Sequence, residues 1–387
     1  MAKKHKPRAG SLAFYPRKKA ARERPSFRSI TPVDVAEGEK AKPVNFLGYK
    51  VGMTHVIGKD SHEKGSTFGQ DINIPVTVIE TPPMKVFGVR IYSKAEKGYG
   101  IAAAFDVLAE KHEKDLLRKL KNFKKPSTKE KKKEGKEVKK ARTMADVEAI
   151  KDKIKRIVLL AYSQPSLAGF AKKTPDISEV AISGNTEQQL EYAKEILGKE
   201  VAFGDAFTEL EFIDAKAVTK GKGMQGPVKR FGIKIHRPKA KKRRVVGSIS
   251  PWNPSTVMWT VPRPGQMGYH NRTVFNKKVL KISNVPSEVN SNAGFKHYGL
   301  VKGSFILVAG SVPGPAKRAI GIRKNIRHVP REKHKIEGID FIATRPSVKG
   351  DTGEEKILAK VEVQKEVKKE TKSVADEIAA AVKGEKK

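Results

Sequence analysis

The 387-residue sequence contains no cysteine, which excludes both disulfides and thiolate metal sites. No apolar run approaches the roughly 18 residues that a membrane-crossing helix needs. The basic start, Met1-Ala2-Lys3-Lys4-His5-Lys6-Pro7, is not followed by an apolar core of signal-peptide length. The chain therefore reads as soluble, intracellular and unsecreted. Catalytic signatures are missing too: there is no nucleophile elbow, P-loop, HExxH or paired-carboxylate pattern. His236, His270 and His297 lie far apart without metal-ligand spacing. The reading is of a chain that is not an enzyme and has no cofactor, metal or small-molecule substrate.

The shortage that says most is of acid. From Ala215 to Arg331 there is one carboxylate, Glu288, against 25 Lys or Arg. The overall frequency of 42 acids in 387 residues would put about 13 in those 117 positions. Met1 to Val33 is similar, with ten basic residues and only Glu23 opposing them. Together these 150 residues hold +33 of the formal +38, and the other 237 are nearly balanced. A salt-bridged surface needs acids, whereas contact with phosphate explains both the surplus of cations and the exclusion of carboxylates. A compact chain at this charge repels itself, so its native state should include a polyanion.

What is present narrows the kind of polyanion. The basic residues alternate with Gly, Pro and aromatics, as in Lys229-Arg230-Phe231-Gly232 and Trp252-Asn253-Pro254. That is not the basic helix of a factor that reads DNA sequence. Acid-free loops and strands rich in Gly and Pro suit irregular folded RNA, where shape and stacking matter.

With 38% hydrophobic residues, most of the chain should fold. Residues 1–43 carry five prolines and few aliphatics, reading as an extended arm that orders only on its partner. Val76–Glu80 and Lys85–Tyr92 read as strands divided by Thr81-Pro82-Pro83. Comparable runs return at Phe212–Val218, Thr256–Val261, Thr273–Val285 and Ser304–Ala309. Many short strands with this punctuation predict a mainly β fold, a small closed β-barrel.

An α/β insertion, residues 105–204, should interrupt the barrel. In it, 109–125 reads as a helix, 124–140 as low complexity, and Ile157–Tyr162 as a strand. Thr186-Glu187-Gln188-Gln189 has a capping-box pattern, and Gly198 is placed to end that helix. The expected order is an arm at 1–43, barrel at 44–104, the insertion, a barrel strand at 205–219, a basic finger at 220–272, barrel again at 273–350, and a charged tail at 351–387. The tail holds nine acids and nine basics and should contribute little to binding.

Gly221-Lys222-Gly223-Met224-Gln225-Gly226 has the spacing of a dinucleotide fingerprint. That motif needs a helix opening at the glycines and a carboxylate about 20 residues on. Here Pro227 and a basic loop follow, with no acid before Glu288, so a turn approaching RNA phosphate is the better reading. Trp252, between Pro251 and Pro254 and downstream of eleven basic residues from Lys220 to Arg244, reads as a rigid tip able to stack on a base. Trp259, in an alternating stretch, reads as core. His270, in Gly268-Tyr269-His270-Asn271-Arg272, suits RNA contact or a structural hydrogen bond.

Several stretches resemble one family. They are Gly10–Ala20, Phe46–His55, Val218–Arg230 and Val257–Thr273. These are similar to the archaeal and eukaryotic branch of ribosomal protein L-three, over about residues 1 to 345. The resemblance implies a β-barrel with a long finger and an N-terminal extension, both entering large-subunit rRNA near its 3′ domain, and a role in nucleating assembly. It places Trp252 at the finger tip near the peptidyl-transferase centre. It makes Lys220, Lys222, Lys229, Arg230, Arg237, Lys241, Lys242, Arg243 and Arg244 the basic stem. Lys3, Lys4, Arg8, Arg17, Lys18 and Lys19 in the arm, with Arg263, His270 and Arg272 on the return strand, complete the expected RNA contacts. Ribosomal proteins L-fourteen and L-twenty-four-e are the neighbours it implies.

Overall fold

The computed structural model describes residues 11–27, 40–95, 98–120, 142–239, 243–329, 335–336 and 338–344. The low-complexity stretch, the tail and much of the arm lie outside them.

The chain is mainly β, with several sheets. The largest contains seven strands: β1 (Asn45–Lys59), β2 (Asp71–Glu80), β8 (Phe212–Val218), β11 (Asn271–Ser283), β12 (Phe305–Ala309), β13 (Ala319–Lys324) and β14 (Phe341–Ile342). Their hydrogen-bonded order is β13-β8-β11-β12-β2-β1-β14, and β1 also pairs with β13. All these pairings are antiparallel, as hairpin-like connections between short strands favour.

β1 serves two partners because it is long and bulged. Asn45–Tyr49 faces β13, while Tyr49–Lys59 faces β2 with a register shift between Lys50 and Gly52. Gly52 is needed at that shift, since a Cβ there would lie 2.6 Å from the Phe295 ring. The buried half of β2, Val76–Glu80, has no exposed face, as expected of a strand with neighbours on both sides and side chains packed above and below.

A second sheet has the order β4-β3-β5-β6, with β7 also on β3: β3 (Met84–Lys94), β4 (Ile101–Leu108), β5 (Ile154–Ser163), β6 (Ile177–Ala181), β7 (Glu200–Val201). The chain switches sheets at Thr81-Pro82-Pro83, ahead of Phe105, where composition had suggested the change. One core of buried apolar side chains spans both sheets, including Phe46, Ile79, Val89, Leu159, Ile213 and Ile322. Each such side chain contributes about 1.5–3 kcal/mol on burial. Asn45 stitches the sheets, its Nδ2 donating to the Glu179 carbonyl at 2.9 Å and its Oδ1 accepting from Ala181 N at 2.8 Å.

The described helices are short: α1 (Lys114–Lys119), α2 (Met144–Glu148), α3 (Thr186–Ile196), α4 (Phe203–Ala206) and α5 (Pro227–Phe231). Helix α1 occupies only part of the helix expected over 109–125, because 109–113 is irregular and residues from 121 to 125 lie outside the described set. The cap of α3 is Asn185, not Thr186; Gln188 Oε1 accepts from Asn185 N at 3.1 Å. That frees Gln189 to turn inward, where it accepts from Ile157 N and donates to the Gly184 carbonyl. Gly198 follows with φ +84°, the left-handed conformation that terminates helices.

Thr256–Val261 is not a strand, and Trp259 is not core. The stretch sits between Pro254 and Pro262 with no strand beside it, and Trp259 is 65% exposed. Alternation without a paired neighbour has no face to bury. Pro227 also does not bar a helix: it opens α5, with Gly226 as N-cap and Gly232 at φ +68° closing it, the N1 position that proline favours.

Candidate nucleic-acid interface

The acid-free segment starts where the acids end in the core. Asp214, in β8, is fully buried and accepts from Arg323 of β13 (Nη2 3.1 Å, Nε 3.2 Å) and from Asn276 N (3.1 Å). The two carboxylates within the basic stretches are also neutralised. Glu23 lies 3.0 Å from Arg318 Nε, and Glu288 lies 2.8 Å from Lys281 Nζ. The outward field of these stretches is therefore positive, with no acid left to oppose a phosphate.

Beyond β8 the chain forms a two-stranded ribbon, β9 (Gly221–Gln225) with β10 (Gly265–Gly268). The glycine motif is thus one ribbon strand. The ribbon can close because Gly268, at φ +73°, brings its Cα against the Lys220 carbonyl; an added Cβ would sit 2.1 Å from that oxygen. Past α5, the described residues from 232 to 264 form no helix or strand, and every residue from 247 to 259 is exposed. Ile249, Trp252, Val257, Met258 and Trp259 stand among them, with Trp252 98% exposed. Apolar side chains left in water over such a length make this stretch a candidate binding surface. A local turn supports its basic side: His236 N donates to the Arg243 carbonyl, and His236 Nε2 lies 3.1 Å from the Val245 carbonyl.

Residues 11–27 of the arm lie against the root of this segment. Tyr15 stacks on Phe231 (6.0 Å between centroids, 18° between planes) and meets Trp259 edge-on at 5.3 Å. The Arg17 guanidinium sits 4.4 Å above Phe231 and donates to the Arg230 carbonyl at 3.1 Å. Arg230 returns the arrangement, donating to the carbonyls of Gln266 (3.0 Å), Arg263 (2.9 Å) and Arg17 (3.4 Å). Burial, then the neighbouring Arg17, lowers the Arg230 pKa from its ordinary value. Both guanidinium groups are thus committed to carbonyls and rings within the chain.

Farther along, Ala20 N donates to the Tyr269 carbonyl at 2.8 Å, and Arg272 lies 4.9 Å over Phe14. His270 Nδ1 is 2.9 Å from the Lys18 carbonyl. A carbonyl only accepts, so Nδ1 carries the proton. Burial lowers the His270 pKa, and Arg272, Arg17 and Arg230 add to that, against the raising effect of the Lys18 hydrogen bond. Of the two roles expected for His270, the structure displays the structural hydrogen bond.

The expected contact residues therefore divide. Lys18, Lys19, Lys220, Lys222, Lys229, Arg237, Arg243, Arg244, Arg263 and Trp252 are exposed and face outward from the chain. Arg17, Arg230, His270 and Arg272 are half-buried and build the junction between arm and ribbon. Lys3, Lys4, Arg8, Lys241 and Lys242 lie outside the described residues. Sequence reasoning missed Phe14, Tyr15, Phe231, Trp259 and Tyr269 as the aromatic half of that junction. The signal was there: an aromatic pair in an otherwise polar arm, two residues before an arginine.

Among the described residues no three His, Asp or Glu are grouped to hold a metal, and no helix is long and apolar enough to cross a membrane.

Comparison with known proteins decides the family. The sequence profile described as Ribosomal protein L3 matches residues 1–349. The chain belongs to the ribosomal protein L3 family. It is 43% identical to the large ribosomal subunit protein uL3 of Methanocaldococcus jannaschii over 345 residues, 88% of this chain and 97% of that one. The protein of the same name from Methanobrevibacter smithii is 43% identical over 352 residues (89% and 98%), and that from Archaeoglobus fulgidus 42% over 344 (88% and 97%). Family membership makes this chain a ribosomal protein rather than an enzyme.

Proposed function

We propose that this chain is a structural component of the large ribosomal subunit, binding large-subunit rRNA directly, close to the 3′ domain, and helping to nucleate assembly. The observation that carries the reading is the outward, acid-free basic segment with thirteen consecutive exposed residues around Trp252, in a chain of this family. Residues 220–272 act as a finger, with Lys220, Lys222, Lys229, Arg237, Lys241, Lys242, Arg243, Arg244 and Arg263 holding phosphates and Trp252 at the tip towards the peptidyl-transferase centre. Lys3, Lys4, Arg8, Lys18 and Lys19 extend the contact along the arm, while Arg17, Arg230, His270 and Arg272 fix arm to finger. The order β13-β8-β11-β12-β2-β1, returning through the β1–β13 pairing, supports a closed barrel from which both project. The insertion at 105–204 and the segments 44–104, 205–219 and 273–350 complete the body. Neighbours in the subunit are ribosomal proteins L-fourteen and L-twenty-four-e, as the family resemblance implies.

Ultraviolet crosslinking in cells, with the RNA sequenced after denaturing purification, tests this. Crosslinks should concentrate in the 3′ part of large-subunit rRNA, with those of Trp252 in the peptidyl-transferase region. Crosslinks scattered over messenger RNA or precursor spacers would instead indicate a general RNA-binding or transient assembly factor. Trp252→Ala should leave stability within about 0.5 kcal/mol, since the indole touches little of the chain. In ribosomes it should alter A-site function or response to antibiotics of that centre, and wild-type elongation and drug sensitivity would refute the tip assignment.

A further inference from the structure

On the second sheet, away from the ribbon, the arm crosses over a pocket. Its volume is about 800 Å³, within the range of roughly 300–1,000 Å³ typical of small-ligand sites. Arg22 and Arg24 come from the arm and Arg156 from β5; Tyr92, Ile101 and Leu108 come from β3 and β4. Pairing places Tyr92 directly opposite Arg156, so a flat ring and a guanidinium share one patch of sheet.

The charges of the wall are unequal. Four arginines line it against two carboxylates, Asp106 and Glu179. Arg90 consumes both acids, clasping Asp106 through Nε (2.7 Å) and Nη2 (2.8 Å) and reaching Glu179 through Nη1 at 2.6 Å. Among the described residues, no acid lies within ion-pair distance of Arg22, Arg24 or Arg156. Burial, and then the charge of Arg22, lowers the Arg24 pKa against the raising charges of Asp176 and Glu179, so a further anion here would relieve the remaining cost of its positive charge. Ile101 and Leu108 are 56% and 40% exposed at the same place. An acidic peptide would answer the arginines and leave this apolar surface wet. A nucleotide answers both, since it joins a flat base to a phosphate.

We propose that this pocket receives one unstacked nucleotide of the bound RNA, its base against Tyr92, Ile101 and Leu108 and its phosphate on Arg22, Arg24 and Arg156. The proposal rests on the RNA-binding reading above and adds to it a contact on the second sheet, where Arg22 and Arg24 of the basic N-terminal stretch meet Arg156 of β5.

The test uses the full chain bound to a transcript of the 3′ part of large-subunit rRNA. Ultraviolet irradiation, digestion and mass spectrometry should find a nucleotide adduct on the peptide that carries Tyr92. Arg156→Ala, at a half-exposed residue in no ion pair among the described residues, should keep the fold and lower RNA affinity about 5- to 10-fold. It should also reduce the slope of log affinity against log salt by about one, and remove the Tyr92 adduct while an adduct at Trp252 persists. Tyr92→Ala should remove the adduct with a smaller change in slope. An adduct at Trp252 without one at Tyr92, together with wild-type affinity for Arg156→Ala, overturns the pocket and leaves the RNA-binding function standing. A protein crosslink at Tyr92 in assembled subunits overturns it as well. Failure of the wild-type chain to bind the transcript at all removes both.

Discussion

Glu80, buried, and His270, half-buried, each tie together parts of the chain that are distant in sequence. Glu80, at the end of β2, is fully buried and accepts from Gly169 N (3.1 Å), Lys302 N and Gly303 N (2.9 Å each), and from the Tyr298 hydroxyl. Burial and the Glu80 charge push the Tyr298 pKa far above the ordinary phenol value, so the hydroxyl remains a donor. Glu80→Gln turns one acceptor oxygen into a donor that faces donors, which should cost about 2–4 kcal/mol. Urea unfolding would measure it, and a loss below about 0.5 kcal/mol would show that the site relaxes freely. His270 makes the second case, and its effect depends on pH. Its folded pKa lies below the ordinary 6.5, so the unfolded chain binds the proton more readily and stability rises with pH. The contribution is complete above about 6.5 and is lost as pH drops from there towards the folded value. Amide exchange of Ala20 should accelerate over that window beyond its intrinsic rate. His270→Gln should abolish the added dependence, and an unchanged profile in the variant would place the titration elsewhere. A structural hydrogen bond was one of the two roles read for His270, but its partner Lys18, 252 residues away, was not legible, and neither was the role of Glu80. Glu80 looks like one more strand-end acid, and only the fold brings residues 169, 298, 302 and 303 to it.

At the level of elements, legibility followed the number of neighbours a strand has. β8 was read as Phe212–Val218 and is Phe212–Val218, because it pairs with β13 and β11 and its alternating Ile213, Ala215 and Ala217 have a core to face. Thr256–Val261 has the same alternation and no partner, so the pattern alone misled. The junction of arm and ribbon was invisible for another reason. Its energy comes from rings and guanidinium groups separated by more than 200 residues, as in the Arg17 and Arg230 pair. Cation–π contacts of this kind are worth about 0.5–2 kcal/mol each. Arg17→Ala should therefore release the arm without unfolding the body: protection of the Ala20 amide should fall about tenfold while urea unfolding of the sheets stays within about 0.5 kcal/mol. Arg17→Lys should restore only part of the protection, because lysine lacks the planar fork. Equal protection in all three proteins would mean that the contacts at Pro25, Phe27 and Lys216 hold the arm by themselves.

For the molecule as a whole, charge separates into a body that is nearly neutral and surfaces that are nearly acid-free. This division was readable in the sequence, because it concerns where carboxylates are missing rather than how the chain folds. The structure adds that the cations are not all alike. Arg17, Arg230, Arg318 and Arg323 are engaged with carbonyls, rings or carboxylates of the chain itself, whereas Lys220, Lys222, Lys229, Arg237, Arg243 and Arg244 are exposed. A count of basic residues therefore overstates the phosphate contacts, and salt dependence is the quantity that measures them. Each neutralised phosphate contributes about 0.7–0.9 to the slope of log affinity against log salt. With some 6 to 10 contacts, affinity for the rRNA transcript should fall about 10³- to 10⁵-fold between 50 and 200 mM salt. Lys222→Ala should reduce the slope by about one, as an outward lysine on phosphate does. Arg230→Ala should instead lower stability and arm protection with little immediate change in slope. A shallow slope for the wild-type chain, or a larger loss of slope from Arg230→Ala than from Lys222→Ala, would contradict the division between gripping and structural cations.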